Sequence, residues 1–146
     1  MGHFATGVVV VTAMGEDGPL GFTCQSFGSL SLDPILVSFS ARSASNSWPG
    51  IRDSGLLAVN VLSAQQEAVA RVFAESAPDK FEGISWSHGG NGAPLLDGAL
   101  ARLEGRLVET ATYGDHDIAI VAVDRGETLD GAPLLYYRGG FGTFTS

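Results

Sequence analysis

Apolar and β-branched residues come in short runs along this chain, and glycine, proline or acidic residues separate the runs. Residues 6–13 (TGVVVVTA) show no polar alternation, which predicts a strand buried on both faces. Residues 15–18 (GEDG) form a turn, and Pro19 to Phe27 return as a second strand. After Asp33-Pro34, residues 35–40 (ILVSFS) alternate apolar and small side chains as a third strand, and residues 56–62 (LLAVNVL) predict a fourth. The period then changes. Ser63 is followed three residues later by Gln66, the pattern of a capping box, and Ala68, Val69, Val72 and Phe73 make a helical stripe to about Glu75. A second, shorter helix is predicted near Trp48 to Arg52. A glycine-rich connection, His88 to Pro94, leads to two long strands, Ala99–Tyr113 and His116–Leu129. In the second of these, Ile118, Ile120 and Ala122 alternate against Ala119, Val121 and Val123. Leu134–Tyr137 and Phe141–Phe144 close the chain. Roughly six to eight strands without regular helices between them predict a mainly β, antiparallel barrel or sandwich. No repeat, linker or second domain interrupts it, so residues 1–146 read as one domain.

Charge and composition narrow the partners. The formal net charge is −8, which argues against nucleic acid, whose phosphates need dense Lys/Arg surfaces. Lys80 is the only lysine, and the arginines are scattered. An anionic ligand therefore needs a local cationic or amide-lined pocket. One cysteine, Cys24, excludes an intrachain disulfide and a Cys-rich metal site. His3, His88 and His116 stand far apart without metal-ligand spacing, so no metal is expected. No apolar run is long enough to span a membrane, and Met1-Gly2-His3-Phe4 is not a signal sequence, so a cytoplasmic protein is expected. GxGxxG after the first strand, Walker A and GxSxG are all absent. If this is an enzyme, a bound cofactor carries the hard chemistry.

Three segments can bear that cofactor. Residues 21–31 (GFTCQSFGSLS) interleave hydroxyls with glycines, suiting close approach to a polar heterocycle; the plain alternative is an edge strand with a polar turn. Residues 38–48 (SFSARSASNSW) place Arg42 among Ser38, Ser40, Ser43, Ser45 and Ser47 just before a predicted helix. That is the composition of a phosphate site, or of a solvated loop with a serine cap. Residues 113–117 (YGDHD) bring His116 out of a tight turn, where it can donate a hydrogen bond or shuttle a proton, oriented by Asp115 or Asp117. Phe81, Tyr136 and Tyr137 can stack on a flat ring, although most such aromatics are core.

The order TGVVVVTA, GFTCQSFGSLSLDP, ILVSFSARSAS, LLAVNVL, VFAES…DKF, GAPLLDGALARLEG, YGDHDIAIVAV, PLLYYRGGFG resembles the flavin reductase-like family over nearly the whole chain. The family comprises the reductase components of two-component flavin-dependent monooxygenases. The resemblance implies an FMN-binding split β-barrel, Greek-key-like, assembled as a homodimer. It implies that FMN, or FAD, is held by Thr23, Cys24, Gln25 and Ser26, with Ser29 and Ser31 nearby. It implies a phosphate held by the loop of Ser40, Ala41, Arg42, Ser43 and Ser45. The resemblance implies that Phe81 lies near the cofactor and that His116 is the catalytic residue beside the isoalloxazine and the nicotinamide; Tyr137 is a candidate further contact. The mechanism this implies has NADH or NADPH give its hydride to flavin N5, with donors from the Thr23–Ser26 strand steadying the charge that gathers at the N1/C2=O edge. Reduced flavin then passes to a partner monooxygenase. Family members usually carry an N-terminal helix before the ATGV strand, and this sequence starts in what would be its final turn. Gln25 stands where Asn is usual, and Gly105 where Cys is frequent. The alternatives are another oxidoreductase on the same barrel (pyridoxamine-phosphate oxidase-like, or a nitro- or quinone reductase), a flavin- or haem-binding protein without turnover, and a plain interaction barrel.

Overall fold

The computed structural model describes residues 1–145. Its main sheet has seven antiparallel strands: β2 (Val9–Gly15), β3 (Gly18–Cys24), β4 (Gly28–Leu32), β5 (Ile35–Arg42), β6 (Leu56–Val61), β9 (Ala101–Tyr113) and β10 (His116–Thr128). Their order across the sheet is β3-β2-β6-β9-β10-β5-β4. A small sheet combines β1 (Thr6–Gly7), β11 (Leu134–Tyr137) and β12 (Gly140–Thr143). A hairpin of β7 (Trp86–His88) and β8 (Pro94–Leu96) stands where the sequence predicted only a glycine-rich connection. The helices are α1 (Trp48–Ser54) and α2 (Glu67–Ala74). The capping box at Ser63 and Gln66 is present, but it opens a single 3-10 turn, Ala64–Gln66, from which α2 continues.

The run at residues 6–13 divides at Val8 into β1 and β2; residues 8–13 are buried on both faces as the composition predicted, whereas Thr6 is half-buried and Gly7 exposed. Val9, Val11 and Ala13 point into one core with Phe22, Phe39, Trp48 and Ile51. Val8 and Val10 point into a second core with Leu62, Ala70, Phe73 and Leu96. The alternation of a strand thus feeds two layers from one valine run. Two close approaches depend on glycine. A Cβ at Gly21 would lie 2.9 Å from the Phe73 ring, which packs α2 onto β3. A Cβ at Gly105 would lie 2.3 Å from the Ala122 carbonyl oxygen, so glycine at this position serves the β9–β10 pairing.

The sheet curls until its first strand, β3, meets β5. No backbone ladder joins these two among the described residues; side chains do. Ser26 Oγ donates to the Ser40 carbonyl (3.2 Å) and accepts the Ser40 N–H (2.8 Å), and the Phe22 and Phe39 rings pack 6.0 Å apart beneath. The outer backbone edge of β3, unclaimed by any strand, faces this seam.

Candidate functional site

Strand alternation sorts the residues flanking the seam into two faces. On β5, Val37, Phe39 and Ala41 point into the core, so Ala41 offers a ligand only its backbone. Ser40 and Arg42 point outward. Across the ladder, Arg42 is paired with His116 and Ser40 with Ile118, so these four side chains share one outer face. Arg42 is exposed and enters none of the ion pairs among the described residues. A guanidinium left unpaired beside small hydroxyls is free to take a phosphate.

His116 Nδ1 lies 2.8 Å from Asp115 Oδ1, and the ring is 43% exposed. Asp115 therefore holds the ring through Nδ1, and Nε2 has no hydrogen-bond partner among the described residues. The imidazole contact in turn holds the Asp115 carboxyl below its usual value of 3.8. Asp117, the other carboxylate the sequence offered for this role, is turned inward and bonds elsewhere.

The remaining candidates divide. Thr23 Oγ1 donates to the Ala70 carbonyl at 2.7 Å and fastens β3 to α2. Cys24 is buried at the seam, 3.1 Å from Ser26 Oγ, and burial pushes its thiol pKa up against the hydrogen bonds that pull it down. Gln25 is exposed just beyond β3. Ser29 and Ser31 flank a bulge on the edge strand β4. Ser43 is committed to β10, its N–H donating to the Asp115 carbonyl (2.9 Å) and its hydroxyl to Asp117 (3.3 Å). Ser45 Oγ accepts the Ser47 and Trp48 amides at 3.2 and 3.3 Å, so it caps α1 and keeps its own proton to donate. Phe81 packs between Phe73 (4.8 Å) and Trp86 (5.6 Å). Tyr137 is exposed on the small sheet, apart from the seam.

Lys80 was passed over in the sequence. Its ammonium is buried and donates to the Gly21 carbonyl (3.1 Å), Ser47 Oγ (3.4 Å) and the Phe73 carbonyl (3.4 Å). One of these acceptors, the Gly21 carbonyl, belongs to β3. Desolvation lowers the amine's pKa from its usual 10.5, opposed by the nearby Glu75 charge. The only available signal was that the chain has a single lysine. Lys80 lies on the wall of a cleft of about 820 Å³ between the β2–β3 hairpin, α1 and residues 77–82. Phe81 also lines this cleft. Its lining carries Glu16, Asp17, Asp53, Asp79 and Glu82, while the three N–H groups of Lys80 are already taken. A phosphate is repelled there, so size does not make this cleft the anion site.

The family model for the flavin reductase like domain matches residues 1–145. The chain belongs to the flavin reductase-like family. It is 41% identical over 140 residues to the reductase subunit HsaB of a flavin-dependent monooxygenase from Rhodococcus jostii, covering 95% of this chain and 72% of that one. It is 39% identical over 145 residues to the FMN reductase (NADH) SmoA of Agrobacterium fabrum, covering 99% and 83%. Among solved structures, the NADH:FAD oxidoreductase SgcE6 of Streptomyces globisporus, in complex with NAD and FAD fragments, superposes with a TM-score of 0.93 at 36% identity, covering 99% and 88%. Nitrilotriacetate monooxygenase component B from Mycobacterium thermoresistibile gives 0.95 at 39%, covering 99% and 82%. These likenesses place the mainly β fold of this flavin reductase-like chain among flavin reductases.

Proposed function

We infer that this chain is an NAD(P)H:flavin oxidoreductase that reduces FMN, accepts FAD, and supplies reduced flavin to a separate monooxygenase. The match of the whole described chain to reductases of this kind carries the reading. The residues present fit a flavin: a free guanidinium, small hydroxyls and an open strand edge meet on one outer face. Flavin, when bound, supplies the ring that accepts the nicotinamide hydride. Arg42 and the Ser45 hydroxyl hold the phosphate. The strand from Thr23 to Ser26, with Ser40 and Phe81, borders the ring system. Thr23, Cys24 and Ala41 act there through backbone groups, because their side chains are engaged or buried. Gln25, Ser29, Ser31 and Tyr137 lie at the margin. His116, steadied by Asp115, presents Nε2 to the nicotinamide and is the catalytic residue.

The chain acts as one domain and as a homodimer. Tyr113 and Ile118 expose apolar surface around His116, and Leu30, Leu32 and Ile35 expose more at the β4–β5 hairpin. A second copy covers such surface at little cost, and doing so also screens the flavin face from water. No helix among the described residues is long and apolar enough to cross a membrane. A free buried thiol suits the reducing cytoplasm in which NADH is supplied.

Absorbance at 340 nm tests the activity. Pure protein with NADH in air is expected to consume NADH in a saturable, FMN-dependent manner. Tight flavin binding without loss of NADH or NADPH would instead identify a flavin carrier.

A further inference from the structure

Asp117 takes no part in the chemistry above, yet both of its carboxylate oxygens are bonded. Alternation along β10 sets it opposite Ala41 on the inner face, 6% exposed, while its neighbour His116 faces outward. Oδ2 accepts the Trp48 Nε1–H at 2.8 Å and lies 3.7 Å from Arg52 Nη1. Oδ1 accepts from Thr112 Oγ1 at 2.8 Å and from Ser43 Oγ at 3.3 Å. These partners come from three segments: the loop after β5, helix α1 and the end of β9. Hydrogen bonds to the charged form, the Trp48 indole first, hold the carboxyl below its usual 3.8.

Burying a carboxylate where an apolar side chain would pack is costly unless its bonds select one arrangement. What these bonds select is the path of the chain beyond Arg42. Ser43 is fixed twice, through its N–H to the Asp115 carbonyl in the turn before β10 and through its hydroxyl to Asp117 in β10. Trp48, at the head of α1, is fixed to the same carboxylate. Arg42 and Ser45 lie on the stretch held between the cross-strand pair Arg42–His116 and Trp48.

We propose that Asp117 is a positioning residue for phosphate recognition: by tying Ser43 and Trp48 to the start of β10, it fixes the loop that presents Arg42 and Ser45 to the phosphate end of the flavin. This rests on the assignment of the phosphate to Arg42. Electrostatics alone acts in the opposite direction, because a carboxylate behind the loop repels phosphate. Removing the charge therefore separates positioning from charge by sign.

The test is the dissociation constant of FMN against that of riboflavin, measured by fluorescence titration of the full chain. The two ligands share ring and ribityl chain and differ only in the phosphate. Wild type is expected to prefer FMN by about tenfold or more. Asp117→Asn is expected to cut that preference by about three- to tenfold and leave riboflavin affinity in place. Ser43→Ala, which keeps the charge, is expected to shift the ratio in the same direction by less, without a change in melting temperature. If Asp117→Asn does not fold, Ser43→Ala decides by the same ratio. Both affinities falling together, or an FMN preference that rises, would overturn the proposal. A wild type without FMN preference would overturn the Arg42 assignment and this proposal with it. A preference kept intact in both variants would overturn the proposal alone.

Discussion

The face around Arg42 and the cleft over Lys80 are built from similar parts, one cation among serines beside an aromatic ring, and they end with opposite chemistry. Arg42 stands on an outer strand face with no carboxylate bonded to it. Lys80 is buried, has an acceptor for each of its N–H groups and shares its cleft with five carboxylates. The first cation is available to a ligand and the second holds the fold together. A cavity's size therefore says less about its ligand than whether its polar groups already have partners.

Removing each cation should break the comparison most sharply. Lys80→Met would leave the Gly21 and Phe73 carbonyls without their donor, each worth roughly 1–3 kcal/mol when stranded. A large fall in melting temperature is expected, with any loss of flavin affinity following from loss of structure. The pH dependence has a definite sign. A folded pKa below 10.5 means that the unfolded chain still holds a proton the folded chain has released, so stability rises with pH between the lowered value and 10.5. Denaturant midpoints measured across the alkaline range should show this rise in wild type and lose it in Lys80→Met. An unchanged melting temperature would remove Lys80 from the fold's support.

Arg42→Ala should do the reverse. A charge-assisted phosphate contact contributes roughly 1.5–3 kcal/mol, so FMN should bind about ten- to a hundredfold more weakly at unchanged melting temperature. Unchanged affinity would move the phosphate elsewhere.

Much of this contrast was hidden in the sequence because it depends on distant partners. The strands were legible from β-branched runs, and even the two-faced burial of residues 8–13 followed from the absence of alternation. The second helix followed from its capping pair. Arg42 and His116 were legible as candidates, but their pairing needed the register of β5 against β10. Lys80 reaches Gly21 and Ser47, and Asp117 reaches Trp48 and Ser43, all across separations that no local motif encodes. Asp115 and Asp117 looked equivalent beside His116. The turn gives one to the ring, and the strand gives the other to the core.

His116→Ala probes the outer face more finely. A ring that orients the nicotinamide without transferring a proton should cost less than the roughly 100-fold minimum typical of acid–base catalysis. Turnover should therefore fall several-fold while FMN affinity holds. Full NADH oxidation at saturating substrate would take His116 out of the reaction.

Asp115→Asn should have the smallest effect. The Asp115–His116 pair is exposed, and such pairs add little to stability, so no change in melting temperature is expected. An amide still reaches Nδ1 but no longer fixes which ring proton it meets, so the loss of turnover should be smaller than in His116→Ala. The carboxyl titrates below its usual 3.8, and its contribution is present above that value and lost as pH falls through the folded pKa. Through neutral pH the wild-type rate profile should thus carry no step from Asp115. A variant that lost more turnover than His116→Ala would show the carboxylate acting on the ligand directly, and would make Asp115 rather than the ring the group that completes this face.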